Sequence, residues 1–186
     1  MKRVLALAGL TTALAAVAAG CGGGGSSSST TTTSATPVVE WAGDFCTAVT
    51  SWKDQLTTTG KDLVSNPTKD GLQQAADDAK SATQTLTDDL KGLGTPDTPS
   101  GKKVKKSVDD LSTTVNTELT KIEDAAKNAS GLSGIVSAAA TISTSLTAMQ
   151  TALSNTLQAI DDADVKGDMK AGFDQASSCS SLRSSS

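Results

Sequence analysis

From Val38 onward, apolar residues return every third or fourth position, the spacing of one face of an α-helix. The first stripe is Trp41, Phe45, Val49, Trp52 and Leu56. Asn66-Pro67 then predicts a helix start, with Asn66 as N-cap and Pro67 at the first helical position, where its missing N–H is no loss. Leu72, Ala76, Ala79, Thr83, Leu86, Leu90 and Leu93 form a second stripe in alternating steps of four and three. Gly94 to Pro99 breaks the chain. Ser100 is placed to cap a third helix, striped by Val104, Val108, Leu111, Val115, Leu119, Ile122 and Ala126. A second break runs from Ser130 to Gly134, and a fourth stripe follows as Ile135, Ala139, Ile142, Leu146, Met149, Leu153, Leu157 and Ile160. A shorter helix comes last, with Met169, Phe173 and Ala176 inward.

Four amphipathic helices of about 25 residues joined by short breaks make antiparallel neighbours. The pattern therefore predicts an all-α fold over residues 38–179, an up-down-up-down four-helix bundle with a short fifth C-terminal helix, followed by a disordered tail at 180–186. Abundant Thr and Ser lower intrinsic helix propensity, so packing of the stripes must carry most of the stability. Trp41 and Trp52 lie within about 20° of each other on one helix face. That makes both core residues, with a ligand-facing Trp as the alternative.

The N-terminus has a different pattern. Met1-Lys2-Arg3 is a short positive region, and Val4 to Ala19 is apolar or small apart from Gly9, Thr11 and Thr12. As a helix this run reaches only about 24 Å, short of the roughly 30 Å of a bilayer's hydrocarbon core. A small-residue exit, Ala18-Ala19-Gly20, leads to Cys21. These are the three parts of a secretory signal peptide, residues 1–20. Ala18-Ala19-Gly20-Cys21 resembles the lipobox of bacterial lipoproteins, although the family most often has Leu where Ala18 stands. The resemblance implies a diacylglyceryl group on the Cys21 thiol, cleavage before Cys21 and acylation of the new amine, giving the two or more chains that stable anchoring needs. Ordinary cleavage after Ala18 is the alternative and would release a soluble protein. Residues 22–37 contain only Gly, Ser, Thr, Ala and one Pro, a composition that buries no apolar surface and predicts a disordered tether.

Composition narrows the chemistry. The chain has 186 residues, 37% hydrophobic and 2% aromatic, with no His and no Tyr. Removing the signal takes two of the 16 basic residues and moves the net charge from −4 to −6. An acidic chain with no basic aromatic stripe is a poor nucleic-acid binder, because phosphate binding needs clustered Lys/Arg. Without His, Ser-His and Cys-His nucleophiles and His-ligated metals are excluded. No catalytic residue, metal site or cofactor is predicted. Ser100-Gly101-Lys102-Lys103 fits an S-x-x-K pattern but has no S-D-N or K-T-G companion. Asp162 to Asp168 faintly resembles a calcium loop, with Lys166 in a ligand position and Phe173 where the bidentate Glu belongs. Asn128-Ala129-Ser130 matches a glycosylation sequon, and its plainer meaning is a helix ending.

Cys46 and Cys179 are too few for a zinc site, and in an exported chain a disulfide is their ordinary use. The topology supports the pairing. In this bundle the first helix starts and the fourth ends at one pole, with Cys46 about two turns into the first helix and Cys179 after the short helix leaving that pole. The third helix starts at the same pole. Lys102, Lys103, Lys105 and Lys106 therefore meet either anionic lipid headgroups or Asp161, Asp162, Asp164 and Asp168, and the aspartates are the expected partners.

Glu40-Trp41-Ala42-Gly43-Asp44-Phe45-Cys46, with Trp52-Lys53 and a closing Ser178-Cys179, resembles small uncharacterised envelope lipoproteins of actinobacteria. The resemblance covers most of the mature chain, implies an envelope location and carries over no activity. The expected function is that of a non-enzymatic cell-envelope lipoprotein, held by lipid at Cys21 on the outer face of a bacterial membrane and binding a protein or wall partner there. The alternative is a carrier of a small apolar ligand or lipid between the helices. An open cavity between the stripes favours the carrier; a sealed core with an apolar patch outside favours partner binding.

Cys21→Ser should move the protein from the detergent phase of a membrane extract into the medium. A Ser variant that stays membrane-bound refutes the lipid anchor.

Overall fold

The first three stripes are buried along their whole length, none of their residues more than 9% exposed. They define three of the four long helices of a computed structural model, which describes residues 37–183. Those helices are α1 (Val38–Ser65), α2 (Lys69–Gly92), α3 (Gly101–Asn128) and α4 (Gly131–Ala163). A short α5 (Asp168–Gln175), a 3-10 turn (Ser177–Cys179) and a final helical turn, α6 (Ser180–Arg183), complete the chain. The fold is all-α: a helical bundle without strands among the described residues. The signal peptide, Cys21, the tether to residue 36 and residues 184–186 lie outside the described residues.

Successive long helices pack on each other, α1 on α2, α2 on α3 and most extensively α3 on α4. Contacts between the ends confirm the antiparallel order. The Trp41 Nε1–H near the start of α1 donates to the Gly94 carbonyl just past α2, at 3.3 Å. Pro99, Ser100 and Lys103 at the start of α3 face Ala163, Val165 and Lys166 at the end of α4. The ring closes unevenly, since α4 touches α1 only lightly and α5, the 3-10 turn and α6 all lie on α1.

The reason lies in α1. Trp41, Ala42, Phe45, Cys46, Ala48, Val49 and Trp52 are all buried, an arc too wide for one neighbouring helix. Trp52 turns to α2, where its Nε1–H donates to Thr83 Oγ1 at 3.3 Å. Trp41 stacks on Phe45 at 5.5 Å, and Phe173 of α5 meets both edge-on, at 6.4 and 5.9 Å. Gly172 allows that approach: a Cβ there would sit 2.6 Å from Val38 Cγ1 and 3.0 Å from its carbonyl oxygen. Both tryptophans are core residues, 0% and 1% exposed.

Several local expectations are corrected. The cap of α2 is Thr68, whose hydroxyl accepts from the Gly71 N–H at 3.1 Å, and not Asn66. Pro67 disfavours helical geometry at the residue before it. Asn66 accordingly ends α1 at φ −135°, and the next helix starts later. Ser100 stands at the start of α3 but its side chain makes no cap bond, because its own backbone is already helical at φ −88°, ψ −6°. The second break is confined to Ala129-Ser130, since Gly131 takes φ +62° and turns the chain at once. In the fourth stripe Ile135, Ala139 and Leu157 are only half-buried, while Ala138, Ser145 and Thr156 are buried. The tail expected from residue 180 is helical to Arg183, with Leu182 buried.

Replacing Cys46 and Cys179 together by Ala should lower stability by about 2–5 kcal/mol, as loss of a long-loop disulfide does. Urea unfolding of the variant against the oxidised parent measures it; an unchanged midpoint would show that the bridge contributes nothing.

Candidate functional site

The structure joins Cys46 of α1 to Cys179 of the 3-10 turn, 133 residues apart, with a Cα–Cα distance of 5.0 Å. The Ser178 hydroxyl beside it donates to the Gly43 carbonyl at 2.9 Å. This bridge fastens the C-terminal segment over α1, as the expected bundle topology allows.

The lysines do not meet the aspartates expected for them. Lys105 pairs with Asp109, and Lys106 with Asp110 at 2.7 Å, both one turn along α3. An i,i+4 partner on the same helix needs no ordering of a second segment. Asp164 is occupied elsewhere, its Oδ2 accepting from the Lys170 N–H at 2.8 Å and so capping α5. Lys102 and Lys103 are exposed and form no ion pair among the described residues. Residues 162–168 span the end of α4, the turn at 164–167 and the first residue of α5, with Gly167 at φ +78°. Among the described residues no three His, Cys, Asp or Glu side chains gather as a metal site. Ser100 of the S-x-x-K pattern lies 3.3 Å from Thr98 Oγ1, and the Lys103 side chain beyond it is exposed.

Two other places could take a ligand or partner. The larger is an open groove of about 750 Å³ between α3 and α4, bordered by Asp110, Leu111 and Thr114 of α3 and by Thr144, Thr147 and Thr151 of α4. It belongs to an unusual helix. Residues 131–160 contain no Asp, Glu, Lys or Arg. By length and composition α4 could cross a membrane, yet Ile142, Leu146, Met149 and Leu153 bury it in the bundle core. Only 28% of its most apolar stretch is buried, so much of the uncharged surface faces outward.

That surface is less polar than its sequence suggests. The hydroxyls of Thr141, Thr144, Thr147 and Thr151 each donate to the carbonyl four residues back, at 2.9–3.0 Å. Their donors are used within the helix, leaving threonine methyls and alanines to line the outside. Leu132 and Val136 extend this face at 81% and 62% exposure. Beyond the groove, along the same seam, buried Glu118 of α3 binds Lys121 at 2.6 Å and a hydrogen bond from Ser145 of α4. The Lys121 hydrogen bond holds the Glu118 carboxyl below its ordinary pKa; burial opposes this and the Ser145 bond assists it.

The second place is a smaller apolar pocket of about 210 Å³ beside the disulfide, between the end of α4, α5 and Leu182. Neither place was assigned residues from the sequence. The missing charge along α4 was the available signal, and its Ser/Thr/Ala composition hid it.

No protein-family model matches the chain, and no curated protein or solved structure matches it.

Glu118 gives a pH test. Because folding lowers its pKa, its contribution is fully present above the unfolded carboxyl's value, about pH 4.3, and is lost as pH falls through the lower folded value. Glu118→Gln should therefore be less stable than the parent at neutral pH, with the gap closing in acid below about pH 4.3. Urea midpoints across that range test it; a gap that stays constant contradicts the ionic role.

Proposed function

We propose that this chain is a non-enzymatic cell-envelope lipoprotein. Lipid on Cys21 holds it at the outer face of a bacterial membrane, and the bundle binds a partner protein there through α4 and the groove beside α3. The observation that carries the reading is the charge-free outer face of α4 on a domain that is otherwise well charged. Interface cores are depleted of charge in this way. The largest core side chains are less than 2% exposed, so the centre of the four-helix bundle is closed to solvent, and the apolar opening beside the disulfide is small, about 210 Å³. Threonine donors already bonded to their own helix favour a protein surface over a wall glycan, which would call on free donors.

A photo-crosslinking residue at position 147, in the full chain on cells, should capture a defined protein band. The same residue at exposed Asp77 of α2, on a charged surface, should not. Thr147→Arg with Thr151→Arg should reduce capture from a neighbouring position on α4 at least tenfold while the circular dichroism stays helical. Equal capture from both helices, or capture indifferent to the arginines, refutes the assignment.

A further inference from the structure

The pocket beside the disulfide has no part in that reading. Leu157 and Ile160 of α4, Met169 and Phe173 of α5, Leu182 and the Cys46–Cys179 bridge form its wall. Met169 is 0% exposed and Ile160 2%, so the floor is dry core, while Leu157 and Phe173 are half-buried and border the opening. The pocket exists because α4 barely reaches α1, and α5 roofs the gap without filling it. A dry cavity of about 150 Å³ lined with Leu, Ile and Phe side chains takes up benzene. At about 210 Å³ this pocket has room for a short alkyl chain.

The mouth adds a sign. Asp161, Lys170 and Asp174 line the pocket and are exposed, so they stand where a headgroup would sit. Lys170 pairs with Asp174 at 2.7 Å, and the two carboxylates and one ammonium that line the mouth sum to a single negative charge. Asp162 at the end of α4 and Asp168 at the start of α5 are exposed as well and outnumber Lys166 of the turn between them. A negative rim over an apolar wall repels carboxylates and attracts cations. We infer that this pocket binds the alkyl chain of a neutral or cationic amphiphile and discriminates against fatty-acid anions.

The methionines provide the readout. Met169 lies in the pocket wall, whereas Met149 is buried two turns back along α4 from Leu157, outside it. The full chain carrying Cys21→Ser, disulfide intact and free of detergent, is labelled at its methionine methyls and titrated with octylammonium, octanol and octanoate. Octylammonium and octanol should shift the Met169 methyl and leave Met149 in place, with octanoate at least tenfold weaker than octylammonium. Leu157→Phe, which fills the half-buried edge, should abolish the shift. Leu157→Ala, which widens the pocket, should move the preference from octylammonium to decylammonium. The inference is overturned if none of the three ligands moves Met169, or if both methyls move together. Octanoate binding as well as octylammonium overturns it too, as does an unchanged chain-length preference in Leu157→Ala.

Discussion

The N-terminal half of α1 carries more apolar surface than a four-helix ring can cover. Seven buried residues in three turns, two of them tryptophans, demand neighbours on most sides. One flank goes to α2. The other is left nearly bare, because α4 packs on α3 and only lightly on α1. Everything after α4 follows from that deficit. The turn at Gly167 sends α5 back over α1, Gly172 permits the close approach, Phe173 completes the aromatic cluster, and Cys179 closes on Cys46. In a chain with only two Trp and two Phe, three of the four rings gather at this one place.

Coverage of α1 by α5 also decides what is left open elsewhere. Once α4 is committed to α3, its far side has no partner within the bundle. The seam between them is held by small side chains and by the Glu118–Ser145 contact, and small side chains leave a groove. On the other side of α4 the gap toward α1 persists as the apolar pocket under α5. One uneven packing choice thus produces both openings.

The architecture was legible because the stripes are made of unambiguous residues. Leu, Val, Ile and Trp at steps of three and four have one stable place, and all those of the first three stripes are buried. The cysteine pair was legible from topology. Legibility failed where side chains are small or where local chemistry competes. Ala, Ser and Thr fit a core or a surface equally, so Ile135, Ala139 and Leu157 lost burial to Ala138, Ser145 and Thr156. Asn66 and Thr68 are both good caps, and the restriction that Pro67 places on the residue before it decided between them. Lysines and aspartates at one pole suggested pairing across the bundle, but Asp109 and Asp110 were already one turn away. The groove on α4 was illegible for a related reason: a hydroxyl reads as polar, and only the folded helix shows it turned back on its own backbone.

The bridge between residues 46 and 179 turns nearly the whole bundle into a covalent ring. A peptidase that cuts once within any of the connections at 66–68, 93–100, 129–130 or 164–167 opens the ring without dividing the molecule. Both fragments stay joined through sulfur and held by their buried stripes. One nick is therefore survivable, and freeing a segment of the ring requires a second cut within it or reduction of the bridge.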